Sequence, residues 1–135
     1  GDGAFGIAVT ELTAIGRGEW PAVTMIVFRN YQWGAEKRNS TLWYEDNFVG
    51  TELDTQVSYA GIAQACALQG VQAHTMDELR DALNKAIEDQ MKHGKTTLIE
   101  AMINQELGEP FRRDAMKKPV AVAGISASDM RPQTV

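Results

Sequence analysis

The chain has 135 residues, room for one domain, and its 44% hydrophobic and 23% charged content is that of a folded globular protein rather than a disordered one. A net charge of −5 argues against nucleic acid and anionic lipid as partners. No apolar run reaches the roughly 18 residues needed to cross a bilayer, and no basic-then-apolar secretory pattern opens the chain, so we expect no membrane association and a cytoplasmic setting.

Gly1-Asp2-Gly3 is a turn motif of the kind that stands at the carboxyl end of a strand, and we expect that strand, and more sequence, upstream of it. Phe5, Ala8, Val9, Leu12 and Ile15 recur at helical spacing, predicting one amphipathic helix over Ala4 to Gly16. Ala22 to Phe28 is a short β-branched, apolar run that predicts a buried parallel strand ending at Arg29-Asn30. Tyr31 to Leu53 lacks clear periodicity and reads as a long loop with a short helix near Ala35, a length that usually carries function.

Ser58 to Leu68 returns to helical spacing, with Gly70 placed as its C-cap glycine. Cys66, the single cysteine, can form no internal disulfide, and its apolar neighbours predict a packed thiol. A strand over Val71 to His74 follows, then a capping box, Thr75-Met76-Asp77-Glu78, which opens a helix ending near Gly94. Thr96 to Ile103 reads as a further buried strand. Helix and strand alternate, so the fold class is α/β: a mostly parallel sheet with right-handed crossovers and helices on both faces. We divide the chain into a domain over residues 1–104 and a proline-bearing tail over 105–135 that packs on the domain or on a neighbouring subunit.

The opening turn admits three readings. Gly1-Asp2-Gly3-Ala4-Phe5-Gly6 matches the dinucleotide pattern G-x-G-x-x-G, but an aspartate there sets a carboxylate beside a pyrophosphate, and Arg29 stands where an acidic ribose partner is wanted. A plain tight turn with a capping aspartate is the second. In the third a cation stands between the anions. Mg²⁺ takes six oxygens, some from one or two protein groups and some from phosphate, and Asn30, at the end of the next strand, offers one.

Gly-Asp-Gly followed about 27 residues later by Asn30 resembles the signature of thiamine-diphosphate enzymes. The resemblance implies that Asp2, the Asn30 side chain and the main-chain oxygen of Gln32 bind Mg²⁺. It further implies that Asp2, Gly3, Ala4, Asn30, Gln32 and Trp33 face thiamine diphosphate. The family usually carries two asparagines in a row; Arg29 replaces the first, which leaves the ligand in place and the role of the preceding position open.

Phe28 to Asn39, Trp43-Tyr44, Asn47 to Leu53 and Asn104 to Pro119 narrow the similarity to the sulfoacetaldehyde acetyltransferases within that family. This implies a step of taurine and sulfonate metabolism: sulfoacetaldehyde and phosphate give acetyl phosphate and sulfite. It also implies a homodimer or homotetramer with the site at a subunit interface. The glutamate that activates the cofactor is expected outside this chain, so the chain alone is expected to be inactive.

Both substrates are anionic, and Lys37 with Arg38, or Arg112 and Arg113 with Lys117 and Lys118, could receive them; Arg38, Arg112 and Arg113 are the candidates for phosphate or sulfonate. The same charges also read as a solvated surface. His74 and His93 have no partner at ligand spacing. Of Trp20, Trp33 and Trp43, Trp33 is best placed to line a cofactor channel. Two other readings stay open: an acetolactate synthase-like carboligase or 2-oxoacid decarboxylase, and a binding or assembly module without catalysis.

Overall fold

The computed structural model describes residues 1–106, with Leu42 described by its backbone alone. Its elements are α1 (Asp2–Ile7), a 3-10 turn (Val9–Glu11), α2 (Leu12–Ile15), β1 (Thr24–Arg29), α3 (Gly34–Trp43), α4 (Tyr59–Ala65), β2 (Gln69–Ala73), α5 (Met76–His93) and β3 (Thr97–Met102). The sheet has the order β1-β3-β2 and both pairings are parallel, as the alternation of helix and strand predicts.

Central β3 is buried at every position from Thr97 to Ala101. Register places Leu98 beside Met25 and Gly70, and Glu100 beside Val27 and Gln72. By the two-residue period of a strand, these side chains share one face with Arg29. On that face Leu12, Val27, Tyr59, Ala63 and Leu98 form a core backed by Phe5 and Met25. The opposite face is covered by α5, where Ala73, Ala86 and Ile99 pack with Leu79 and Leu83. Helices thus cover both faces. Leu98 and Ile99 are wholly buried, and each contributes about 1.5–3 kcal/mol through burial.

Helix α5 is bounded by local signals. Thr75 accepts from the Glu78 N–H at 3.1 Å, and Gly94 ends the helix in the left-handed conformation at φ 61°. The Glu78 carboxylate reaches back one residue further than a capping box requires, to the N–H of His74 at 2.7 Å.

Four expectations are corrected. The helix over 4–16 is broken at Ala8 (φ −110°, ψ 16°), whose N–H returns to the Phe5 carbonyl. Gly6 and the β-branched Ile7, Val9 and Thr10 hold a helix weakly, and the break lets both Phe5 and Leu12 reach the core. The short helix expected near Ala35 runs to ten residues, α3; its polar composition left no apolar stripe to mark its extent. Gly70 is no helix cap but lies within β2, while α4 ends at Ala65. A Cβ on Gly70 would stand 2.0 Å from the Ala60 carbonyl oxygen, so its role is close approach of strand and helix. The strand expected to be buried over Ala22 to Phe28 runs Thr24–Arg29 at the edge of the described sheet, which leaves Ile26 and Phe28 exposed.

Candidate functional site

The site gathers at the carboxyl ends of the strands. Gly1 lies beside the Phe28 carbonyl, so the opening turn abuts the end of β1, the place where open parallel sheets bind ligands. Asp2, the first residue of α1, is 1% exposed. Its two carboxylate oxygens are used differently. Oδ2 accepts from the Tyr31 N–H at 2.8 Å and from Arg29 at 3.3 Å. Oδ1 accepts from the Gly3 N–H at 3.0 Å and faces Asn30.

Asn30 turns one end of its side-chain amide to 3.1 Å from Asp2 Oδ1 and 3.2 Å from the main-chain oxygen of Gln32. With nitrogen at that end the amide donates to both. With oxygen there, three oxygens face one another with no proton among them. Neighbouring ligands in an octahedral Mg²⁺ shell, each about 2.0–2.1 Å from the ion, lie about 3 Å apart. The spacing and the all-oxygen donor set therefore suit a small hard cation. Among the described residues no three His, Cys, Asp or Glu converge as a metal cluster, and His74 and His93 join none.

Backbone pairing holds these oxygens in place. Gln32 forms an antiparallel bridge with Glu52, the Trp33 N–H donates to Thr51 at 2.7 Å, and the Leu53 N–H donates to Tyr31 at 2.8 Å. Tyr31 takes the left-handed conformation at φ 59°, uncommon for an aromatic residue. That turn aims its N–H at Asp2. Trp33 packs over Gly3: a Cβ there would stand 2.9 Å from the indole ring, so the second glycine of the motif makes room for Trp33. Ala4 is exposed on α1.

Arg29 is the residue the sequence least explains. It is 1% exposed, its guanidinium donates to Asp2, Asp54 O (2.7 Å) and Val57 O (2.9 Å), and its Nε lies 3.4 Å from Glu100 Oε1. The guanidinium stands 4.3 Å from the centre of the Tyr31 ring and 4.8 Å from that of Tyr59. Tyr59 donates its hydroxyl proton to the Asp2 carbonyl at 3.0 Å; burial pushes that hydroxyl's pKa up, which keeps the donor protonated.

Glu100 is wholly buried. Its Oε2 accepts from Ser58, the Ala60 N–H and Gln72. Burial raises the carboxyl's pKa, but these donors outweigh burial and hold it below its ordinary value. Glu100 was missed from sequence; a lone acid in the middle of the run Leu98-Ile99-Glu100-Ala101-Met102 was the signal available.

The anion-binding candidates separate. Lys37 stands on α3 and is bound to Glu52 and to Gln32 Oε1. Arg38 is half-buried on the same helix. Arg112, Arg113, Lys117 and Lys118 lie outside the described residues, as does most of the tail; of it, Gln105 accepts from Gln32 Nε2 and donates to Glu52. Trp20 is 66% exposed and Trp43 44%, which leaves Trp33 as the tryptophan at the site. Among the described residues no helix is long and apolar enough to cross a membrane.

A family model described as thiamine pyrophosphate enzyme, C-terminal TPP binding domain, matches residues 1–101. The chain is 83% identical over 135 residues to the sulfoacetaldehyde acetyltransferase of Roseovarius nubinhibens, covering 100% of this chain and 22% of that protein. It is 81% identical over 133 residues to the protein of the same name from Rhodobacter capsulatus, covering 98% and 22%. The one from Castellaniella defragrans is 48% identical over 120 residues, covering 89% and 20%. The chain thus spans about a fifth of the length of these relatives.

Proposed function

The chain belongs to the thiamine pyrophosphate enzymes, matching their C-terminal TPP-binding domain, and on that premise we propose that Asp2, Asn30 and the main-chain oxygen of Gln32 hold Mg²⁺ and, through it, the diphosphate of thiamine diphosphate. The observation that carries this reading is the convergence of Asn30 on Asp2 Oδ1 and Gln32 O at 3.1 and 3.2 Å. Gly3 and Trp33 shape the wall beside these ligands, and Ala4 continues it on α1. The cation removes the objection to an aspartate beside a diphosphate, because both anions then face positive charge.

The intact protein, in this reading, is an acetyltransferase that takes sulfoacetaldehyde and phosphate to acetyl phosphate and sulfite. The 83% and 81% identities to proteins named for that activity support it. When bound, thiamine diphosphate supplies the nucleophilic carbon and electron sink that breaking a carbon–sulfur bond needs. The residues of this chain orient it: Asp2 and Asn30 fix the diphosphate end, and the bridge between Gln32 and Glu52 keeps the liganding backbone rigid. Arg38, Arg112 and Arg113 are the groups suited to receive phosphate or sulfonate. The domain ends near residue 104, the segment 105–135 closes over it or over a neighbour, and the working unit is a homo-oligomer.

The test is sulfite release by the intact protein. Release is expected only when sulfoacetaldehyde, phosphate, Mg²⁺ and thiamine diphosphate are all present, with Asp2→Ala abolishing Mg²⁺-dependent cofactor binding in calorimetry. Sulfite release that ignores phosphate, or carboligation of 2-oxoacids in its place, would assign the protein to another branch of the family. Cofactor binding unchanged by Asp2→Ala would remove the metal assignment.

A further inference from the structure

Arg29 occupies a position that the metal reading leaves without a task, yet it makes more contacts than any proposed ligand. Building on the Mg²⁺ reading of the site, we propose that Arg29 is a positioning residue that holds Asp2 as a one-oxygen ligand and thereby sets a preference for a small octahedral cation over calcium.

Asp2 Oδ2 is tied to Arg29 at 3.3 Å and to the Tyr31 N–H at 2.8 Å, and Oδ1 alone is turned toward Asn30. A carboxylate whose second oxygen is engaged in this way cannot swing to grip an ion with both. Ca²⁺ takes about 6–8 oxygens at about 2.3–2.6 Å and accepts two-oxygen carboxylates readily, whereas Mg²⁺ requires six at about 2.0–2.1 Å. Holding Asp2 to one oxygen therefore penalises the larger ion.

Arg29 supports both of the donors on Oδ2. One is its own; the other belongs to Tyr31, whose ring lies 4.3 Å under the guanidinium and whose backbone stays at φ 59°. Arg29 is itself fixed by Asp54 O, Val57 O and Glu100 Oε1. A planar fork can serve Asp2 and those acceptors together, which the point charge of a lysine cannot.

The experiment measures Mg²⁺ and Ca²⁺ affinities of the intact protein by titration calorimetry at fixed thiamine diphosphate, with the melting temperature of the metal-free protein alongside. Arg29→Gln/Glu100→Gln removes one cation and one anion together, so the net charge around Asp2 is kept while the restraint is lost. Arg29→Lys keeps the charge and loses the fork, and decides the matter if the double variant does not fold. Supporting partners of metal ligands are typically worth about 10–100-fold in affinity. We expect Mg²⁺ affinity to fall in that range and Ca²⁺ affinity to fall less, so the Mg²⁺-to-Ca²⁺ ratio drops about tenfold, beyond any loss of metal-free melting temperature that follows from removing a buried side chain. A purely structural role would lower the melting temperature and leave the ratio where it was; that result overturns the proposal, as does unchanged Mg²⁺ affinity in a folded variant. If the wild-type protein binds no Mg²⁺ with thiamine diphosphate, the metal reading falls and takes this inference with it; normal wild-type binding with an unchanged ratio sinks the inference alone.

Discussion

Glu100 keeps its charge in a place without water because it is surrounded by donors: the Ser58 hydroxyl and the Ala60 N–H, each at 3.1 Å, Gln72 at 3.0 Å, and Arg29 beyond them. Burial alone would push its carboxyl up, yet these donors hold it below the ordinary value of 4.5. A carboxyl whose folded pKa lies below its unfolded one stabilises the fold fully above the unfolded value, and that stability is lost as pH falls through the folded value. The wild-type protein should therefore lose stability on acidification below about pH 4.5 more steeply than Glu100→Gln does. Urea unfolding midpoints measured from pH 7 down to pH 3 would show it, and parallel curves for the two proteins would mean that Glu100 titrates alike in the folded and unfolded states. At pH 7 the substitution should cost about 1–3 kcal/mol, the cost of weakening the hydrogen bonds of buried donors, because Arg29 keeps its pairing with Asp2.

Elements packed this closely depend on small residues at a few crossing points. Strand β2 passes α4 at Gly70, where an added Cβ would meet the Ala60 carbonyl oxygen at 2.0 Å and its carbon at 2.8 Å. Both are backbone atoms, so no side chain can rotate away. Gly70→Ala should destabilise the domain by at least about 1–3 kcal/mol, the cost of overpacking a filled core; a melting temperature equal to wild type would show that α4 and β2 can separate freely. The sequence pointed to this glycine but not to its task, because a cap and a close approach both call for glycine and the choice between them is tertiary. Where signals are local the reading succeeded: Thr75 and Gly94 bracket α5 as a helix start and stop should. A helix near Ala35 was expected, but the extent of α3 was hidden because Glu36 to Thr41 are polar without a break. At the site, Asp2 and Asn30 were legible from their 28-residue spacing, whereas the Arg29–Glu100 pair joins residues 71 positions apart and depends on strand register.

Over this chain a net charge of −5 disfavours an anionic diphosphate, and in the proposed site the buried Asp2 would repel it again at close range. In the proposed metal site a cation at Asp2 would reverse the second effect, and each ion would then improve the other's site, so the proposal predicts that metal and cofactor binding are coupled in both directions. Either one alone should bind weakly. A ligand that binds only the folded state stabilises it by about 2.7 kcal/mol at a hundred times its dissociation constant. The intact protein should therefore melt several degrees higher with Mg²⁺ and thiamine diphosphate together, and close to its ligand-free temperature with Mg²⁺ alone or with thiamine diphosphate plus a chelator. Scanning calorimetry of the four conditions separates coupling from addition. If thiamine diphosphate stabilised the protein equally with and without the chelator, the diphosphate would be held by protein groups alone, and Asp2 would have to be turned away from it.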